Sequence, residues 1–190
     1  MLLVATGKIG SGKSTVLKIF HELGAEILDT DFLVHKFYAD PKSKFCQLIV
    51  AEFGESILKK DRTINRHILR TLVINDEQKL KRLNEIVHPL IQTELNQIIQ
   101  NFSSKKINLV EIALLEKIKL LAKFNAIILV RAPLNISLQR MSKRGWSKSE
   151  TEKIWHSQKD WANPDFVIEN KEDQNKLKEQ VKKIWEKISH

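Results

Sequence analysis

The apolar run Met1-Leu2-Leu3-Val4-Ala5 leads through Thr6 into Gly7-Lys8-Ile9-Gly10-Ser11-Gly12-Lys13-Ser14, and this arrangement constrains the fold more than any other stretch of the chain. A run that is apolar on both faces reads as a strand inside a parallel sheet. The residues after the loop put Val16, Leu17, Phe20 and Leu23 on one face of a helix. Strand, glycine-rich loop and helix are the context in which a G-x-x-x-x-G-K-S pattern binds phosphate. The glycines let main-chain N–H groups turn toward phosphate oxygens, and the helix directs its positive N-terminus at them. Lys13 adds a mobile cation, and the Ser14 hydroxyl can ligate Mg²⁺. Gly10, Ser11, Gly12, Lys13, Ser14 and Thr15 are therefore expected to hold a nucleoside triphosphate. The plainer alternative is a glycine-rich turn that only caps a helix.

The rest of the chain continues to alternate apolar runs with helical patterns. Further apolar runs fall around Ala25 to Leu28, at Ile107 to Ile112, at Ala126 to Val130 and at Phe166 to Ile168, with helical patterns between them. Alternation of this kind predicts an α/β fold, a three-layer α/β/α P-loop NTPase with a five-stranded parallel sheet, whose ligands gather at the carboxyl ends of the strands. Between residues 34 and 104 the rhythm changes to helix alone, with segments predicted at Pro41 to Phe53, Arg66 to Val73 and Asp76 to Phe102. The expected organisation is a nucleotide-binding core of residues 1–33 and 105–190, with residues 34–104 inserted as a helical substrate-binding lobe. Pro133 opens a helix through Arg140, and the basic turn Lys143-Arg144-Gly145-Trp146-Ser147-Lys148 that follows belongs to a candidate lid at about residues 141–163. Glu172 to Ile188 reads as an amphipathic closing helix in which Trp185 serves packing.

With 190 residues, 42% of them hydrophobic, the chain can bury one good core and a smaller lobe. The sole cysteine, Cys46, excludes an internal disulfide, and the first apolar stretch is too short for a membrane span and has no charged leader. A cytoplasmic protein with no membrane partner is expected, as a monomer or weak oligomer. The net charge of +9 favours anionic ligands. It is nevertheless spread among Glu and Asp along helical stretches, without an aromatic-basic platform, so no nucleic-acid partner is expected.

Phosphoryl transfer asks a protein for positioning, charge neutralisation and a group that orients or deprotonates the acceptor. Asp29 and Asp31 close the second apolar run two residues apart, so in an extended conformation both carboxylates would share a face. Asp31 is the candidate base toward a substrate hydroxyl, and capping of a helix that starts at Phe32 is the alternative. Asp29 is a candidate for the metal site with Ser14, reaching that hydroxyl, a metal-bound water or a lid residue. Arg66 and Arg70 share a helix face suited to an acceptor phosphate, although a solvated basic face explains them equally well. Pro89 is expected to end or kink the long helical pattern, and His88 before it is a candidate acceptor contact or a cap. Arg140 and Arg144, one turn apart, are placed to fold over the triphosphate, Arg140 as a catalytic group and Arg144 as a nucleotide contact.

Taken in order, these residues resemble the dephospho-CoA kinase family. The likeness rests on Thr6 to Thr15, Leu23-Gly24, Asp29-Thr30-Asp31, Phe53-Gly54, Asn65-Arg66 with Leu69-Arg70, His88-Pro89-Leu90-Ile91, Leu114-Leu115, the Arg140 helix, Gln158, and Asp165 to Asn170. The resemblance implies ATP on the P-loop with Mg²⁺, and the ribose 3′-hydroxyl of dephospho-CoA as acceptor, held partly by the helical insertion. It implies the base role for Asp31, a phosphate contact for Arg140 and a place near the adenine for Asn170. The chain departs from the family pattern at Lys8, where a glycine is usual, and at His35, where an arginine is usual. It departs again at Ala113 to Lys117, where the usual proline is absent and Lys117 holds the usual glutamate position with Glu116 one place early, and in a shorter stretch between Gln158 and Asp165. A shikimate- or adenylate-type small-metabolite kinase, or a nucleotide-binding regulatory protein without chemistry, are the alternatives.

Overall fold

The structure, a computed structural model, describes residues 1–103, 105–113, 124–171 and 173–189, and of Asp31 the backbone alone. Two compact units are present: Met1–Asp29 with Asn101–His190, and Thr30–Gln100. The sequence places these boundaries a few residues later, at residues 33 and 104.

In the first unit, β1 (Leu2–Thr6) runs into the glycine loop and α1 (Lys13–Glu22), followed by β2 (Glu26–Asp29). After the second unit come β3 (Asn108–Glu111), β4 (Ala126–Arg131), α6 (Leu134–Ser142), α7 (Lys148–Ser157), β5 (Phe166–Glu169) and α8 (Gln174–Ile188). All four strand pairings are parallel, in the order β2-β3-β1-β4-β5. The fold is therefore the α/β, five-stranded parallel sheet with flanking helices that the alternating runs predict. Leu3, Ala5, Leu109, Ile128 and Val130 are buried in the sheet, against Phe20 of α1 and Val181 of α8. α8 starts at Asp173, whose carboxylate accepts from the N–H groups of Asn175 and Lys176, and it buries Leu177, Val181 and Ile184. Trp185 packs tilted on Phe20, ring centroids 6.4 Å apart, in the packing role expected of it.

The second unit is helical: α2 (Thr30–Ala39), α3 (Lys44–Phe53), a short 3-10 turn (Glu55–Ile57), α4 (Arg66–Ile74) and α5 (Glu77–Gln100). Ser43 caps α3 and Asn65 caps α4, each side-chain oxygen accepting from first-turn N–H groups. Phe45, Ile49, Ile57, Ile64, Leu69 and Val73 form this unit's own core.

One local expectation is corrected and two are refined. α2 begins at Thr30, directly after β2, and not at Phe32, so Asp31 lies in the first helical turn and is neither extended nor the N-cap. The cause lies in the ladder: β2 and β3 pair up to Asp29 and Glu111, where β3 stops, and among the described residues no partner strand keeps residue 30 extended. α5 runs on through Pro89, as the continuous helical segment read at Asp76 to Phe102 has it, and does not end there; proline costs the helix one N–H donor while its fixed φ is helical. The basic turn after α6 is followed by a helix, α7, whose start is a capping box between Ser147 and Glu150. The Leu114 to Lys117 motif lies outside the described residues.

Candidate active site

The glycine loop leaves β1 at the centre of the sheet, and its two outer glycines are required by close approach. A Cβ on Gly7 (φ +148) would sit 2.1 Å from the Val130 carbonyl oxygen. One on Gly12 (φ +90) would sit 2.1 Å from Asn170 Nδ2. Gly12 is also the N-cap of α1, and no side chain caps that helix. The Thr15 and Val16 N–H groups both donate to Gly12 O, at 3.1 and 3.2 Å. The amides of Lys13 and Ser14 belong to the first turn, where a helix offers no internal acceptor, so the positive end of α1 opens on the loop. Thr15, expected among the phosphate contacts, has its amide engaged within the loop.

Arg140 and Asn170 hold the back of the loop. Arg140 Nη1 donates to the carbonyls of Gly10 (3.1 Å) and Ser11 (3.0 Å), while its Nη2 donates to the carbonyl and the Oδ1 of Asn170, both at 3.0 Å. Asn170 Nδ2 in turn donates to Ser11 O at 2.8 Å. The Ser11 carbonyl thus has both lone pairs directed at Arg140 and Asn170. In a planar trans peptide the N–H points opposite the C=O, so the Gly12 N–H faces the other side of the loop. Burial, with the Arg144 charge nearby, lowers the pKa of Arg140, which stays protonated. Arg144 itself is exposed.

Lys13 is buried, at 8% exposure, with its ammonium 3.0 Å from Gly7 O, 3.4 Å from Lys8 O and 3.8 Å from Glu111 Oε1. The other oxygen of Glu111 accepts from the Ser14 hydroxyl at 3.5 Å. Glu111 closes β3, is 2% exposed, and pairs in register with Ala5 of β1 and Asp29 of β2. Sequence reading missed it. The available signal was an acidic residue ending an apolar run, Asn108-Leu109-Val110-Glu111, next to the strand that carries the loop. Ser14 hydroxyl and Glu111 carboxylate are hard oxygen donors of the kind Mg²⁺ takes in P-loop sites, with the Asp29 carboxylate on the neighbouring strand end.

The remaining candidates lie in the second unit. Asp31 is in the first turn of α2, and its side chain is outside the described residues. The Arg66 guanidinium contacts the His35 ring and lies 5.8 Å from the centre of the Tyr38 ring. A neutral imidazole at residue 35 can accept from Arg66, which a second arginine there could not. Arg70 lies one turn further along α4, its Nη2 3.2 Å from His67 Nδ1. His88 is in the middle of α5. Burial pushes the Tyr38 phenol up to about 12, against the opposing pull of the Arg66 charge.

Comparison with known proteins adds a family. A family model described as dephospho-CoA kinase matches residues 1–176. A dephospho-CoA kinase of Aquifex aeolicus is 35% identical over 188 residues, which cover 97% of this chain and 95% of that one. Among solved structures, the dephospho-CoA kinase from Campylobacter jejuni aligns with a TM-score of 0.70 at 25% identity, covering 99% of this chain and 96% of its own. A shikimate kinase from Acinetobacter baumannii aligns at 14% identity with a TM-score of 0.53, covering 99% of this chain and 92% of its own, a likeness of fold alone.

Proposed function

The chain belongs to the dephospho-CoA kinase family, and from that premise we propose how its residues divide the work of phosphorylating dephospho-CoA with ATP, the reaction that completes coenzyme A synthesis. The observation that supports this division is the convergence of Lys13, Ser14 and Glu111 at the open end of α1. The amides of Gly12, Lys13 and Ser14 hold the outer phosphates, and Lys13 leaves its carbonyl contacts to neutralise them. Ser14 and Glu111, with Asp29 beside them, would hold Mg²⁺, which would supply neutralisation of phosphate charge.

Arg140 and Asn170 serve from behind. Arg140 brings positive charge close to the triphosphate while fixing the Gly10 and Ser11 carbonyls, and Asn170 reaches the nucleotide through Ser11. Arg144, exposed and one turn on, supplies the contact from the lid side, where α7 is the lid helix. Asp31 orients and deprotonates the ribose 3′-hydroxyl. Two residues of chain span at most about 7 Å, which keeps Asp31 within reach of the strand end that carries Asp29. Arg66 and Arg70 bind a phosphate of the acceptor and His88 contacts the acceptor, in a cytoplasmic enzyme without membrane or nucleic-acid partners.

Incubation of the purified protein with Mg·ATP and a panel of dephospho-CoA, shikimate, AMP and tRNA, read by mass spectrometry, tests the reading. One added phosphate on dephospho-CoA alone is the expected result. Tight ATP binding with no acceptor modified would replace it with a regulatory nucleotide-binding role.

A further inference from the structure

We propose that Trp155 and Gln158, at the C-terminal end of α7, are positioning residues for phosphoryl transfer: they fix the Lys8–Ile9 peptide plane, whose carbonyl helps to hold Lys13. The inference rests on the kinase reading above and deepens it. Four contacts carry it. The Ile9 N–H donates to Gln158 Oε1 at 2.6 Å. The carbonyl of that same peptide, Lys8 O, accepts from the Ser11 N–H at 3.1 Å and from Lys13 Nζ at 3.4 Å. The Lys8 ammonium lies 3.7 Å from the centre of the Trp155 ring, on its face. Beyond Gln158, Asp160 is held by Arg131 of β4 at 3.2 Å, which anchors the end of α7 to the sheet.

A peptide plane has one orientation to set, because its N–H and C=O point in opposite directions. Gln158 takes the N–H side, so it dictates where the Lys8 carbonyl faces. Trp155 takes the side chain of the same residue, giving the plane a second hold through a cation–π contact. Lys8 occupies a loop position where glycine would offer α7 nothing to grip, and among the described residues its ammonium has no carboxylate partner. Without the Lys8 carbonyl, Lys13 has one fewer acceptor opposing Glu111 and settles toward that carboxylate. Lys13 is then less available to phosphate, and Glu111 less available to Ser14 and the metal. The seat of α7 is thereby converted into the readiness of Lys13.

The test compares Gln158→Met, which keeps length and loses the acceptor, with Gln158→Glu, which keeps an acceptor, and places Trp155→Leu, Trp155→Phe and Lys8→Met in a double-mutant cycle. Steady-state kinetics are taken separately against ATP and dephospho-CoA. Gln158→Met is expected to lower kcat/KM for ATP about 5-fold with KM for dephospho-CoA unchanged, and Gln158→Glu to restore most of the loss. Trp155→Leu and Lys8→Met are each expected to lower it about 3-fold, the double variant no more than either single one, with Trp155→Phe near the parent. Multiplicative losses in the cycle, equal damage in Gln158→Met and Gln158→Glu, or unchanged kinetics in variants that melt like the parent would each overturn the proposal. Calorimetric ATP binding by the same variants separates the two readings. A parent protein that fails to modify dephospho-CoA removes the kinase assignment, while ATP affinities that follow the pattern above still support the positioning of Lys13.

Discussion

Asn170 and Ser11 stand 159 positions apart in the chain, and the side-chain amide of the first donates to the main-chain carbonyl of the second over 2.8 Å. That bond, with Arg140 on the same carbonyl, decides which way the Gly12 amide faces. Asn170→Ala removes it and strips Arg140 of its Oδ1 partner. The variant is expected to fold, and to raise KM for ATP about 10-fold or more with a smaller change in kcat, as measured by steady-state kinetics at saturating dephospho-CoA.

Glu111 is the buried carboxylate that touches both Lys13 and Ser14. Glu111→Gln keeps the volume and removes the charge. Activity is expected to fall about 100-fold or more and the Mg²⁺ concentration for half-maximal rate to rise, which a metal titration of initial rates would record. Full activity at unchanged Mg²⁺ requirement would take Glu111 out of the metal site.

Asp31 heads α2 rather than ending a strand. Asp31→Asn keeps shape and first-turn polarity while losing the proton acceptor, so kcat is expected to drop by about 10²- to 10⁴-fold while calorimetric ATP affinity holds. Unchanged turnover would remove the base role and leave the fold untouched.

Tyr38 supplies a pH-dependent test of the helical unit. Its pKa is raised from 10.0 to about 12, chiefly by burial, so the folded state binds the phenolic proton more tightly than the unfolded state does. The stabilisation is complete below pH 10 and is lost as pH rises toward 12. Urea unfolding between those limits should show falling stability, and Tyr38→Phe, which retains the edge contact with Phe45, should flatten that slope.

How far the sequence led follows the range of the interactions involved. The strand, loop and α1 were legible because each is set by neighbours: apolar residues on both faces of β1, glycines where φ is positive, a buried stripe of Val16, Leu17 and Phe20. Ser147-x-x-Glu150 was equally local, and its capping box announced α7, yet it reads as part of a basic turn when charge alone is followed. Glu111 was hidden by its setting, since an acid at the end of an apolar run gains meaning only when β3 lies beside β1. The side-chain partners of Arg140 and Asn170 were beyond any periodicity. The family resemblance implied a place near the nucleotide for both, but only the packed chain turns them to the loop carbonyls.

The long reach of the Asn170 amide also bears on how the molecule is made. Synthesis runs from the amino end, so the glycine motif emerges well before the groups that lock its carbonyls, which arrive with α6 and the end of β5. A ribosome-bound fragment stopped before residue 170 carries every residue of the motif and lacks the finished cradle, so nucleotide capture waits for Asn170 to reach Ser11 and Arg140.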